Sequence, residues 1–187
     1  MQLTPRSKFL FMIGVFAVPV VAAYLAYFGW RPSGHTNYGE LIQVAPLQHT
    51  AGTNYDGAAL NLDALRGKWV MVHVGPSNCD AACAQQLYLM RQTRIAQGKE
   101  QSRIERLWVL SDAGAIDPAL LQEHSGLHVW RPADAAFSGQ FPAAGSPAGH
   151  IYLVDPLGNL MLRFPEQPDP KRMLKDLKQL LKASQIG

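Results

Sequence analysis

Apolar residues are unevenly distributed along this 187-residue chain. Near the N-terminus they form one unbroken run, Phe9 to Trp30, of 22 residues without a charge. Such a run is long enough to span a hydrocarbon core of about 30 Å. Further along, the apolar positions fall into short blocks. Trp69 to Val74 is almost continuously apolar, which predicts a strand buried on both faces. A helical pattern then runs from Cys79 to about Gln97, with Cys83, Leu87, Met90 and the Arg94 stem inward and Gly98 as its stop. Ile104 to Leu110 predicts a second strand. Asp117 and Pro118 open a helix to about His124, as N-cap and first helical residue, and Leu127 to Trp130 predicts a short strand. After an irregular stretch over 131–149, Gly149 to Asp155 and Leu160 to Phe164 read as a hairpin around Pro156-Leu157-Gly158-Asn159. A last helix, Pro170 to about Ala183, carries Leu174, Leu177 and Leu181 on a core face and Lys171, Lys175, Lys178 and Lys182 on a solvated one. Strand, helix, strand, helix, hairpin and helix together predict an α/β fold: a mixed sheet with helices on both faces.

This patterning divides the chain into three. Residues 1–31 read as a cytoplasmic N-terminus and a transmembrane anchor, 32–55 as a juxtamembrane linker, and 56–187 as one globular domain. Leu41 to Leu47 leaves room for a short edge strand within the linker. Arg6 and Lys8 precede the span, which places the N-terminus in the cytoplasm and the domain outside. Tyr24, Tyr27 and Trp30 gather at the far end as an interfacial belt, and Pro19 sits mid-span, where a membrane helix tolerates it. A cleaved signal peptide has a shorter apolar region, of about 7–15 residues, and a small-residue cleavage site. The length and aromatic end of this segment favour an uncleaved anchor. The domain then lies in an oxidising compartment.

A net charge of +3 and a pI near 9.0 are too mild, and the charges too dispersed, for a nucleic-acid partner. No phosphate-binding glycine motif, double-pair zinc pattern, internal repeat or hydrolytic triad stands out. The chemistry concentrates in Val72-His73-Val74-Gly75-Pro76-Ser77-Asn78-Cys79-Asp80-Ala81-Ala82-Cys83. It contains both cysteines of the chain, four apart, where a strand gives way to a helix. Side chains at i and i+4 share a helix face. With Cys79 at the helix cap the pair can close a disulfide; open, the two sulfurs can grip one soft metal ion. The helix N-terminus favours a thiolate there. The alternative is that both are buried small hydrophobes.

With these features in place, the chain resembles the thioredoxin fold, and within it the Sco/SenC family, over residues 56–187 and the anchor. Leu65-Arg66-Gly67-Lys68-Trp69, Cys79-x-x-x-Cys83 and Tyr152-Leu153-Val154-Asp155-Pro156-Leu157-Gly158 carry the resemblance. Only the cysteine spacing points to Sco in particular. The resemblance implies a single-pass protein of a bacterial-type inner membrane with a periplasmic thioredoxin-like domain. It implies a factor that handles Cu(I), or the thiol redox state, in cytochrome c oxidase assembly. Its partners would be a respiratory oxidase subunit or other assembly factors, besides the bilayer contacted by residues 9–30. A metal-free thiol–disulfide oxidoreductase and a non-catalytic tethered module are the alternatives.

The chain departs from the family pattern in two places. Asp80 and Ala84 follow the cysteines where the family usually has proline, and the place of the family's copper-binding histidine falls on Pro147. His150 stands three residues on, a shift of roughly 10 Å along an extended chain. Cys79, Cys83 and His150 are the candidate metal ligands; Cys79 is the expected attacking thiol and Cys83 the resolving one. Pro147 is a candidate for the cis proline of thioredoxin folds. His73 is expected to be a buried, hydrogen-bonded core residue, and His35, His49, His124 and His128 to lie in linker or surface positions.

Overall fold

The computed structural model of the protein describes residues 4–29, 37–48, 51–184 and 186. The chain divides into two compact units, the first ending at Thr36 and the second beginning at Asn37. The first is α1, Pro5–Gly29, whose most apolar window has a mean hydropathy of 2.4. By length and composition it can cross a membrane. Pro5 occupies the opening turn, where its missing N–H is no loss, and Pro19 lies inside the helix. Tyr24, Tyr27 and Phe28 form ring contacts at its far end; Trp30, His35 and His49 lie outside the described residues.

The second unit contains β1 (Glu40–Pro46), β2 (Gly52–Asn54), β3 (Trp69–Gly75), α2 (Ala81–Ile95), β4 (Ile104–Leu110), α3 (Pro118–Glu123), β5 (Leu127–Pro132), β6 (Ile151–Val154), β7 (Asn159–Arg163) and α4 (Pro170–Ala183). The strands form one mixed sheet in the order β1-β7-β6-β3-β4-β5-β2. β3 runs parallel to β4 and antiparallel to β6, and every one of its residues is buried. Such burial is what a strand without a polar face requires. The segment read as linker contributes two strands: β1 pairs with β7 at one edge and β2 with β5 at the other.

Helices flank the sheet unequally. Trp69 and Met71 on β3, with Ile104 and Trp108 on β4, face Leu87 and Met90 of α2 and Met173, Leu177 and Leu181 of α4. Leu120 and Leu121 of α3 pack on the same face. The other face, built on Val70, Val72 and Val74, is closed by Leu62, Leu65, Phe137 and Phe141. These come from 3-10 turns and an adjoining loop, not from α-helices. On α4 the inward position is Met173, with Leu174 half-buried beside the lysines. A stripe at 173, 177 and 181 keeps a strict four-residue spacing, and 174 falls off its edge.

A buried carboxylate fastens β1 to this layer. Asp176 of α4 is 3% exposed, and its Oδ2 accepts the Gly39 N–H at 2.8 Å. Tyr38 beside it accepts the Asp169 N–H at 2.8 Å and lies under the Arg172 guanidinium, 4.2 Å from the ring centre. Asp176→Ala leaves the Gly39 donor unpaired, and a lost buried partner costs about 1–3 kcal/mol. The denaturation midpoint of the full chain is expected to fall accordingly, and to fall less for Asp176→Asn, which retains an acceptor oxygen.

Candidate functional site

β3 ends at Gly75, and the next few residues deliver both cysteines. The turn is fixed from the neighbouring strand: the Ser111 N–H donates to the Gly75 carbonyl at 2.9 Å, and the Ser77 N–H to Asp112 Oδ1 at 3.0 Å. The Ser77 hydroxyl, followed by the Ser77 and Gly114 amides and the Arg131 charge, holds the Asp112 carboxyl below the usual carboxylate range. Gly114 comes so close to Ser77 that a Cβ there would lie 2.1 Å from its hydroxyl oxygen. Cys79 follows, its N–H donating to the Ser77 carbonyl at 3.0 Å.

The N-cap of α2 is Asp80, not Cys79. Its backbone is extended, and its carboxylate accepts the Cys83 N–H at 2.9 Å. Cys79 therefore stands one residue before the cap and Cys83 in the first turn, with Cα atoms 5.2 Å apart and a disulfide between them. This separation lies within the range that a disulfide spans. Cys83 is 5% exposed and packs in the α2 core layer; Cys79 is half-buried. The two sulfurs thus form one unit, with Cys79 outside and Cys83 inside. The Asp80 carboxylate also occupies the amide that would otherwise favour a Cys83 thiolate.

The second wall is the short 3-10 turn Pro147–Gly149 that precedes β6. The Ser146–Pro147 bond is trans. Gln86 of α2 donates to the carbonyls of Gly149 (2.9 Å) and Glu166 (2.7 Å), tying the turn and the loop after β7 to the helix. β6 begins only at Ile151, because this turn occupies the residues before it. His150 is the C-cap of the turn; its Nδ1 lies 2.8 Å from the Phe164 carbonyl and its Nε2 4.0 Å from Glu166 Oε1. Among the described residues, no group of three or more His, Cys, Asp or Glu is assembled in a way that could hold a metal.

The nearby polar group that sequence reasoning undervalued is His73. It is fully buried on β3, on the face shared with Met71, and registered against Trp108 of β4 and Ile151 of β6. Neither ring nitrogen has a partner at close hydrogen-bonding distance among the described residues, and the His150 backbone is the hydrogen-bonding group that acts on the ring. The ring reaches towards the cysteine end of the strand, since a Cβ on Gly75 would lie 2.9 Å from its Nε2. Burial lowers its pKa from 6.5 to about 4, and the His150 backbone and the Asp80 charge act the other way. Its position in the helix-covered layer follows from strand alternation. Of the other histidines, His124 is buried at the end of α3 (2% exposed), and His128 lies 3.4 Å from Glu105.

Residues 69–184 match the family described as transmembrane-like, thioredoxin-like, C-terminal domain. No curated protein matches the chain. Solved structures with the same fold include Bradyrhizobium japonicum ScoI with copper bound, at 19% identity, covering 72% of this chain and 99% of that one, with a TM-score of 0.55. Yeast Sco1 with copper bound is 17% identical, over 75% of this chain and 90% of its own, with a TM-score of 0.60. The thioredoxin domain of a Bacteroides vulgatus thiol–disulfide oxidoreductase is 18% identical, over 76% and 99%, at 0.58.

The depressed His73 pKa has a consequence for stability. Below pH 6.5 the unfolded chain takes up a proton at this residue that the folded chain refuses until about pH 4. The stability is therefore complete above 6.5 and declines as the pH falls towards 4, by at most about 1.4 kcal/mol per pH unit for one proton. His124, also lowered by burial, adds to the decline. Denaturation midpoints of His73→Phe are expected to fall less steeply over this interval than those of the unaltered chain.

Proposed function

The chain belongs to the family of transmembrane-like, thioredoxin-like C-terminal domains, and on that footing we propose that it is a membrane-anchored extracytoplasmic factor in which Cys79 and Cys83 exchange disulfides and carry Cu(I) for the copper centre of cytochrome c oxidase. The observation that carries this reading is the disulfide itself, an outer and an inner sulfur joined at the tip of the central strand. α1 supplies the anchor, and Arg6 and Lys8 before its apolar stretch support an N-terminus in the cytoplasm and a domain in the periplasm.

As a reductant the pair starts as two thiols. The Cys79 thiolate attacks one sulfur of a disulfide in the target, forming a mixed disulfide and releasing the other target sulfur as a thiol. Cys83 loses its proton and attacks Cys79 Sγ. The Cys79–Cys83 bond forms, two electrons have passed to the target, and its second sulfur leaves as a thiol. Partial exposure fits Cys79 to the first attack, and burial fits Cys83 to the second. As a carrier, the same two sulfurs take Cu(I) as cargo, a soft ion that thiolates prefer. Target and cargo suit each other, because the cysteines of a copper centre must be reduced before the metal enters. The Sco structures with bound copper support this reading, with the fold as the link.

A second reading is general thiol–disulfide exchange without metal. The closed disulfide and the shared fold with the B. vulgatus oxidoreductase domain favour it. Cu(I) titration of the reduced full chain in detergent separates the two. One ion per chain is expected, lost in the Cys79→Ser, Cys83→Ser double variant, and Cys79→Ser is expected to leave the oxidase short of copper in cells. Absent binding together with turnover on unrelated disulfides would select the metal-free reading.

A further inference from the structure

The lysines of α4 have no part in the cysteine site. At 3.6 residues per turn, Lys171, Lys175, Lys178 and Lys182 fall within about 60° of arc on the helix, and all of them are exposed. None forms an ion pair among the described residues. The acidic residue within the helix, Asp176, is buried and turned to the Gly39 N–H. Nothing on this element therefore offsets the charges. With Leu174 and Gln179 the lysines line a shallow, open groove. Leu174 is half-buried there, an apolar position between cationic side chains.

The same helix receives the chain that arrives from α1. Residues 30–36 separate the end of α1 from the start of the domain at Asn37. A chain of that length reaches at most about 25 Å. Directly after it, the Tyr38 hydroxyl accepts the Asp169 N–H, the Tyr38 ring lies under Arg172, and the Gly39 N–H donates to Asp176. The tether thus enters the domain on α4, on the flank beside the lysine arc.

We propose that the lysine face of α4 docks on the anionic phosphate head groups of the bilayer that α1 spans. The inference needs α1 in a membrane and takes nothing from the copper reading. A short tether on one flank of the helix keeps the lysines at high effective concentration near the lipid surface. Their ammonium groups reach the phosphates, while their stems cover Leu174. The tether also favours lipid over an acidic protein, because it brings the bilayer to this face without a second encounter. Attachment at two points, the anchor and α4, limits rotation of the domain and so the directions in which Cys79 meets a target.

The test uses the full chain in lipid nanodiscs, with a photoreactive benzophenone side chain placed at position 179, in the groove between the lysines. Irradiation is expected to give lipid adducts, read by mass spectrometry, in discs containing phosphatidylglycerol. Discs of phosphatidylcholine alone should give several-fold fewer. Adducts should also fall in molar salt, where the screening length shrinks to about 3 Å. The double variant Lys175→Gln, Lys178→Gln is expected to lose adducts at least about tenfold, since each lysine near an anionic surface is worth about a fivefold factor. Lys175→Arg, Lys178→Arg should keep them. Equal yields in the two lipids, or yields untouched by the glutamine pair, overturn the inference. So does irradiation of cell membranes that joins position 179 to an acidic protein and not to lipid. Chains that fail to enter the discs remove the anchor and the inference together. The lipid comparison with the lysines unaltered decides the matter without either double variant.

Discussion

The constraint that organises this domain is the burial of β3 on both faces. Its seven residues admit no water, so their backbone groups must pair with β4 on one side and β6 on the other. Two apolar layers follow, because Trp69 and Met71 point one way and Val70, Val72 and Val74 the other. The layers differ in what closes them, helices on one side and short turns on the other. Reactive groups can emerge only where the strand stops. In open α/β sheets that place is the carboxyl end, and the two cysteines stand there.

The site is a graded one. Covalent closure links a half-buried sulfur to one that is enclosed, and the elements around them fix each sulfur separately. Asp112 and Ser77 set the turn before Cys79; Asp80 sets the helix start and takes the Cys83 amide. Asp80 replaces the proline usual in the Sco pattern. Both can begin a helix, but the carboxylate adds a negative charge beside the sulfurs. That charge opposes thiolate formation, which the helix N-terminus assists, and attracts a cation.

How much of this is legible in the sequence depends on which force sets each feature. β3 and β4 can be read because continuous apolar runs have few other destinations, and α3 and α4 because aspartate-proline pairs mark their starts. The cysteine pair is legible from spacing and context. The choice of Met173 over Leu174, the burial of His124 and the Asp176–Gly39 bond are tertiary outcomes: each depends on a partner far along the chain. Within 32–55, β1 lies where Leu41 to Leu47 leaves room for an edge strand, whereas the three-residue β2 is legible only from its pairing with β5.

The two histidines near the site show how strand phase decides chemistry. His150 is close in sequence to where the resemblance would place a ligand. A 3-10 turn occupies the residues before it, and its ring is directed to the Phe164 carbonyl. His73 matches no ligand position of the family, yet alternation on β3 puts it in the Cys83 layer, with a glycine two residues on leaving space for its ring. Burying an imidazole with no close side-chain partner costs stability, and an apolar residue would fill the layer without that cost.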